Sequence, residues 1–488
     1  MGAKKSITKN YIFNLIYQIL VIIIPLVTTP YISRVLGANG IGVYSYTYSI
    51  VTYFCMFAAL GTVTFAQREI AYCRDNIENA TVQFWNILIV RIVASIMSIL
   101  IYSVVIINSR NRIIAIMQGL YILGVATDIS WFFQGLEEFG KVVFRNMIIK
   151  ILNVVFIFAF VKESKDLWLY VISMSLFPIV ANIALWFYLP KYLIKISISK
   201  ISPQINIKEI LQLFIPTIAI QVYTVMDKTM IGVLTKDDAQ NGYYENAIGM
   251  VRLCLLLITS FGMVMIPRIA YLFSNNQREQ MCEYMKRTYR FVWLLAIPIF
   301  IGLIFVADLF VPWFFGDGFD EVIILIQICS GLIIAVGLND VTGTQYLVPT
   351  KKQNIYTMTV IIGASVNFVL NLILIPKFYA VGAAFASVIA EIVIAITQFI
   401  FIIYIEKSFK WRDIFGNMSK YIFAGSVMCV GLCIIKQACM PSILGTGIFV
   451  LFGSALYFVC LFLLKDELFF YMINKALVVI RQLGKEHR

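Results

Sequence analysis

The sequence predicts an all-α membrane protein of about fourteen transmembrane helices, arranged as two pseudo-symmetric six-helix lobes around a central cavity with two C-terminal helices added. Three observations predict it. Hydrophobic residues make up 61% of the 488-residue chain and charged residues only 13%, more apolar surface than a soluble core of that length buries. Apolar segments of roughly 20 residues, one hydrocarbon crossing each, recur from Asn10 almost to the C-terminus. Lys and Arg gather in alternate hydrophilic gaps, so the net charge of +13 reports membrane topology and not a nucleic-acid partner.

The first six spans are expected at residues 10–33, 41–65, 83–107, 113–134, 142–161 and 167–189, an N-terminal lobe over 1–190. Lys4, Lys5 and Lys9 precede the first run as in a signal peptide, but the run has no small-residue cleavage site and reads as a retained helix. A polar connection over 191–208, with Lys191, Lys195, Lys200, Lys208 and Pro203, reads as a cytoplasmic linker. The pattern then restarts at 209–234, 243–266, 289–311, 322–346, 356–375 and 381–405, a C-terminal lobe over 209–406. Spans at 421–435 and 443–464 and a basic tail complete 407–488. With the N-terminus inside, the inner segments hold about 27 Lys and Arg against about 8 in the outer loops, which predicts cytoplasmic termini. Arg91, Lys150, Lys228 and Arg252 are left over, within spans.

The single histidine, His487, stands next to the C-terminal residue, so no His-based triad, His-ligated metal site or imidazole relay is expected inside the membrane. The nine cysteines form no C-x-x-C pair and read as small buried hydrophobes. Residues 35–51 can be laid against 233–251, matching Gly42, Tyr44 and Val51 to Gly242, Tyr244 and Val251. An even number of spans separates the two, so the repeat is parallel, as alternating access between two lobes requires.

Four segments carry a family resemblance: PYISRVLGANGIGVYSY at 30–46, VYTVMDKTMIGVL at 222–234, FFGDGF at 314–319 and NFVLNLILIPKFYAVGAAFASVIAE at 367–391. In their order and spacing the chain resembles the Wzx-type polysaccharide flippases of the multidrug/oligosaccharidyl-lipid/polysaccharide exporter superfamily. The resemblance implies a twelve-helix core plus two helices in the bacterial cytoplasmic membrane. It implies translocation of an undecaprenyl-pyrophosphate-linked oligosaccharide from the cytoplasmic to the outer leaflet for surface polysaccharide biosynthesis. Membrane lipids and the polysaccharide polymerase machinery are the other partners it suggests.

An ionisable side chain in mid-membrane costs ~2.5 to 3.5 kcal/mol on insertion scales and therefore faces a cavity or a partner. Arg91 shares a helical face with Ser95, Ser98 and Tyr102, and Lys150 with Asn146 and Asn153. Fixed cations in a low-dielectric cavity attract pyrophosphate, so Arg91 and Lys150 are candidates for a headgroup site. Pairing of Arg91 with Asp128 is the alternative. In the second lobe Lys228 lies on a face with Gln221 and Thr224 while Asp227 points about 100° away, and Arg34, Lys228 and Arg252 are candidates for an outer cationic ring. Asn367 and Asn371 are expected to line the cavity. No cofactor is expected; Glu391, with Asp227 as runner-up, is the candidate for coupling to a proton or sodium gradient. Tyr44, Tyr46, Tyr48 and Tyr53 read as an interfacial belt.

Two relatives in mechanism remain open: a peptidoglycan lipid-precursor flippase with the same charge logic, and a multidrug/cation antiporter, which would line its cavity with acids and aromatics. An enzyme such as a polysaccharide polymerase would need a large external loop, and the longest outer gap is only about ten residues by the same count.

Overall fold

The computed structural model describes residues 7–203, 207–405, 407–416 and 418–475, and these are helical with no strand among them. In lipid, backbone polar groups must be satisfied within the segment, which leaves the helix as the local solution for each apolar run. In chain order the helices are α1 Ile7–Ala59, α2 Thr62–Cys73, α3 Ile77–Ile106, α4 Arg112–Gln118, α5 Leu120–Thr127, α6 Ser130–Gly135, α7 Phe139–Phe160 and α8 Leu167–Trp186. There follow α9 Ile207–Thr235, α10 Asp238–Ser274, α11 Arg278–Phe315, α12 Asp320–Cys329, α13 Gly331–Asn339, a π-helical turn Asp340–Leu347, α14 Gln353–Ile400, α15 Trp411–Phe415, α16 Met418–Lys436 and α17 Ile443–Leu463.

Eleven helical stretches among the described residues are long and apolar enough to cross a membrane. The protein is a multi-pass, all-α membrane protein. Two stretches, Tyr17–Cys73 and Gln353–Ile405, hold 57 and 53 residues; at about 1.5 Å per residue each is more than twice the hydrocarbon thickness. Each is broken where the sequence separates two spans. In α1 the break is Gly37 (φ 66°, ψ 175°), a conformation essentially confined to glycine. In α14 it is Tyr379 (φ 51°, ψ −132°).

The chain forms two compact units, Met1–Glu245 and Asn246–Arg488. The first is organised by α1, which packs against α3, α5, α7 and α9. Residues 191–203 and α9 belong to this unit, with α9 also against α2. Its core is aromatic: Phe84, fully buried, lies 5.5 Å from Trp131 and 5.1 Å from Phe132 between ring centroids. The start of α10 crosses the second arm of α1 at two glycines. A Cβ on Gly42 would stand 1.5 Å from the carbonyl oxygen of Asp238, and one on Gly242 would stand 2.0 Å from that of Ala38. The glycines matched by the sequence repeat thus meet reciprocally, each contacting the residue four before the other.

The second unit is built on α11, which packs against α12, α13, α16 and α17. Small residues bring α16 into contact, since a Cβ on Gly425 would meet Ile297 and Ile301 of α11, and α17 approaches through Gly453 against Leu432 and Met428. Close packing of this kind substitutes for hydrophobic drive, which lipid removes. Buried donors are satisfied: the Trp293 indole donates to the Ile414 carbonyl at 2.8 Å and the Tyr457 hydroxyl to that of Leu294 at 3.0 Å. All nine cysteines are free.

Candidate functional site

The expected span 113–134 is not one helix. It breaks at Asp128, whose extended backbone (ψ 113°) ends α5 and leaves carbonyls of the last turn of α5 without helical partners. Arg91, 2% exposed on α3, answers that break. Its Nε donates to the Val125 carbonyl at 2.7 Å, and its Nη2 stands 3.4 Å from the Asp128 carboxylate. The indole nitrogens of Trp131 and Trp186 cap the Asp128 and Thr127 carbonyls. Because of the break, Asp128 does not continue one helical face from Tyr121 and Gly124 to Trp131, as a straight helix would require. The polar stripe on α3 is buried too: the Ser95 hydroxyl donates to the Arg91 carbonyl, and Tyr102 to that of Ala115. Arg91 therefore holds α3 to the broken end of α5, Ser95 bonds within α3, and both are buried.

On α7, Arg145 lies beside the expected side chains. Arg145 reaches α8, where its Nη1 donates to the Ala181 carbonyl and the Asn182 side chain, both at 3.2 Å, and it holds Asn146 through Nε and Nη2. Asp128 also lies within electrostatic reach of Arg145. One carboxylate therefore serves two arginines. Lys150, one and a half turns further along α7, is half-buried with its ammonium 5.4 Å from the Tyr17 ring centroid and no carboxylate against it among the described residues. Asn153, a turn beyond, donates to the Met174 sulfur.

A second polar cluster joins α9 to the α1 arm after Gly37. Lys228, 6% exposed, is ion-paired with Glu245, which also accepts from Ser45 Oγ at 2.6 Å. Asp227, equally buried, takes the Tyr244 hydroxyl at 2.6 Å. The two neighbours point to different partners, as their helical offset demands. Gln221 and Thr224 lie exposed on the same helix. Of the other cations in the expected outer ring, Arg34 is exposed beside the break at Gly37, and Arg252 is exposed on α10 in the second unit. Tyr44 and Tyr48 turn away from a membrane belt: Tyr44 shares a hydrogen bond with Tyr121 at 2.9 Å, and the rings of Tyr44 and Tyr170 and of Tyr48 and Tyr121 lie 5.0 and 5.1 Å apart.

In the second unit, Glu391 accepts from the Asn339 amide. Asn367 and Asn371 are fully buried between the arms of α14, in a ladder from Asn371 to Asn367 (3.0 Å) to Ser387 (3.3 Å). Each amide offsets the burial cost of the next, so these two residues seal a helix pair and do not line a cavity. A further acid, Asp340, begins the π-helical turn and is held by Thr344 and by Gln345 Nε2 at 2.8 Å.

Comparison with known proteins is decisive for the family. The profile described as Polysaccharide biosynthesis protein matches residues 7–273, more than half of the chain. The chain belongs to this family. The motif resemblance to polysaccharide flippases is thereby borne out. Over 406 residues it is 22% identical to the "Putative O-antigen transporter" of Escherichia coli (strain K12), covering 82% of this chain and 97% of that protein. Among solved structures, that of the lipid II flippase MurJ in an inward closed conformation superposes with a TM-score of 0.73 at 15% identity, over 94% of this chain and 99% of the other. An inward-facing multidrug resistance MATE family transporter of the MOP superfamily gives 0.58 at 12% identity, over 78% and 97%. These structures share the fold. The family member described here is a membrane protein of the flippase and transporter kind, and the relatives named are transporters or flippases.

Two side chains escaped the sequence reading of this family member. Arg145 lies only three residues inside the expected span 142–161, where a cation reads as one of the flanking positive charges. Asp340 lies inside the expected span 322–346, where its carboxylate is an intramembrane acid like Glu391.

Proposed function

We propose that the protein is a flippase that carries an undecaprenyl-pyrophosphate-linked oligosaccharide from the cytoplasmic to the outer leaflet of the bacterial cytoplasmic membrane, with both termini cytoplasmic and no covalent chemistry of its own. The observation that supports this most is the charge balance on α3, α5 and α7. Arg91 and Arg145 stand on apolar helices beside one carboxylate, Asp128, and Lys150, further along α7, has none in contact among the described residues. A fixed surplus of cations at low dielectric suits a doubly charged pyrophosphate and opposes a cationic drug.

Division of labour follows from burial. Arg91 is committed to the broken helix at Asp128, so Arg145 and Lys150, both half-buried, are the groups available to a phosphate. Lys228 is paired with Glu245 and serves the α1–α9 seam first. The reading is tested by deleting the gene and following lipid-linked oligosaccharide by leaflet. Accumulation of one such species in the inner leaflet, relieved by the wild-type gene and not by Lys150→Gln, is expected. Accumulation of peptidoglycan precursor would move the assignment to that substrate, and sensitivity to cationic drugs without accumulation would move it to an antiporter.

A further inference from the structure

We propose that the groove between α3 and the α4–α5 pair is a seat for one anionic glycerophospholipid, with an acyl chain lying along the groove and the headgroup phosphate on Arg112. This lipid is a fixed ligand and not the cargo, so the inference goes beyond the flippase reading and stands without it.

Helical periodicity makes the groove. Residues three and four apart share a face, and positions 99, 102, 103 and 106 of α3 meet positions 112, 116, 119, 120 and 123 of α4 and α5 in this way. The two faces touch at their floor. The Tyr102 hydroxyl donates to the Ala115 carbonyl at 2.6 Å, and a Cβ on Gly119 would stand 3.3 Å from the Tyr102 ring. Isoleucine and leucine side chains form most of the walls, and the space between them is about 440 Å³. That lies within the range of about 300–1,000 Å³ that holds a small ligand.

The surroundings select hydrocarbon as the occupant. Val104 of α3 and Ile113 of α4, each next in sequence to a wall residue, are 68% and 69% exposed. A face of that kind lies against acyl chains in a membrane, and a groove left empty there forfeits dispersion contacts that a chain restores. From Arg112 to Leu123 the groove follows about three helical turns, or about 16 Å. This is about half of the ~30 Å hydrocarbon core, the depth that one phospholipid chain occupies in one leaflet. A polyprenyl tail is far longer and carries a methyl branch on every unit, so the groove does not contain it.

Charge selects the headgroup. Arg112 is exposed at the groove mouth, where the apolar run of α4 begins. Its neighbours are committed elsewhere: Arg110 is ion-paired with Asp238, and the Asn111 amide donates to the same carboxylate. No carboxylate contacts Arg112 among the described residues. The polar wall residue Ser103 donates to the Ile99 carbonyl of its own helix at 2.8 Å and needs nothing from a ligand. A guanidinium over an apolar slot suits a phosphate, which it can bind through two N–H groups. A zwitterionic headgroup brings a cation of its own beside that phosphate, so a net anionic lipid is favoured. Seated there, the lipid braces α3 against the same broken helix pair that Arg91 grips at its other end.

The test is thermal unfolding of the purified full-length protein in neutral detergent, titrated with phosphatidylglycerol or with phosphatidylcholine of the same acyl chains. Phosphatidylglycerol is expected to raise the Tm progressively, as a ligand of the folded state does. Its midpoint should lie at least about tenfold below that of phosphatidylcholine, equivalent to about 1.4 kcal/mol. Arg112→Gln is expected to abolish this preference. Ser103→Phe, which fills the groove from an exposed position, should weaken the response to both lipids. Lys165→Gln removes an exposed cation outside the groove and should change neither. Equal wild-type responses to the two lipids overturn the proposal, as does a preference that survives Arg112→Gln or is lost equally in Lys165→Gln. Displacement of phosphatidylglycerol by undecaprenyl phosphate at equal concentration also overturns it and gives the groove to a substrate tail. Arg112 is exposed and touches no acid, so its variant carries the test if Ser103→Phe does not fold. No translocation is measured, so failure here is distinguishable from failure of the flippase reading.

Discussion

Gly42 and Gly242 occupy equivalent places in the sequence repeat and face each other in the fold, each filling the space where a Cβ would enter the other helix's backbone. The contact has the reciprocity of a two-fold axis: Gly42 meets Asp238 and Gly242 meets Ala38. It fixes the crossing of α1 and α10 and, through it, the neighbouring Ser45–Glu245–Lys228 cluster. Alanine at either glycine must move backbone, so Gly42→Ala and Gly242→Ala are each expected to destabilise by about 1–3 kcal/mol or more. Gly249→Ala, where a Cβ meets nothing within 4 Å, is the control and should leave the Tm in the same detergent unchanged or raised. Equal shifts at all three positions would contradict a close crossing.

Arg91 and Lys150 should separate under mutation. Removing one partner of a buried pair leaves an uncompensated charge and typically costs about 3–5 kcal/mol. Arg91→Gln is therefore expected to lower the folded yield sharply, and Arg91→Lys to recover little, because a lysine cannot span the Val125 carbonyl and Asp128 together. Lys150→Gln removes a cation–π contact of about 0.5–1 kcal/mol and should leave the protein folded. Translocation should nevertheless fall about tenfold or more, since a charge-assisted bond to phosphate is worth roughly 1.5–3 kcal/mol. Folded yield by size-exclusion profile and leaflet assay of the same preparation distinguish the two effects.

What the sequence reveals follows from how strongly lipid constrains it. Each crossing needs a long apolar run, so the spans and the separations at Gly37 and near Tyr379 can be read directly. Local departures from regular helix cannot. Hydropathy treats 113–134 as continuous, yet Asp128 breaks it, and that break turns Arg91 from a cavity cation into a structural one. A 3.6-residue period likewise gives no sign of the π turn that groups Asp340 with Gln345. The inward tyrosines Tyr44 and Tyr48 resemble an interfacial belt because composition does not specify which way a ring at a helix end turns.

Lys228 and Glu245 offer a measurable coupling. Both belong to the α1–α9–α10 seam, and Glu245 also accepts from Ser45. Lys228→Met and Glu245→Gln should each destabilise, and the double variant should lose less than the sum. The interaction energy expected from a thermodynamic cycle is about 0.5–3 kcal/mol. Strict additivity would show that the pair contributes nothing to the seam.

Tyr379 makes the last prediction, and it runs against the usual effect of glycine. Its backbone (φ 51°, ψ −132°) lies where a side chain is strained, and its ring is 49% exposed. Such conformations cost of order 1–3 kcal/mol for residues other than glycine. In lipid, loss of a partly exposed ring forfeits little hydrophobic stabilisation, because the surroundings are themselves apolar. Tyr379→Gly is therefore expected to stabilise the protein by about 1 kcal/mol. Tyr379→Ala keeps the strain while losing the ring, so it should be neutral or destabilising. Thermal unfolding of the two variants in one detergent decides the matter. If glycine and alanine shift the Tm alike, the break in α14 holds no strain and some other contact sets the turn between its two arms.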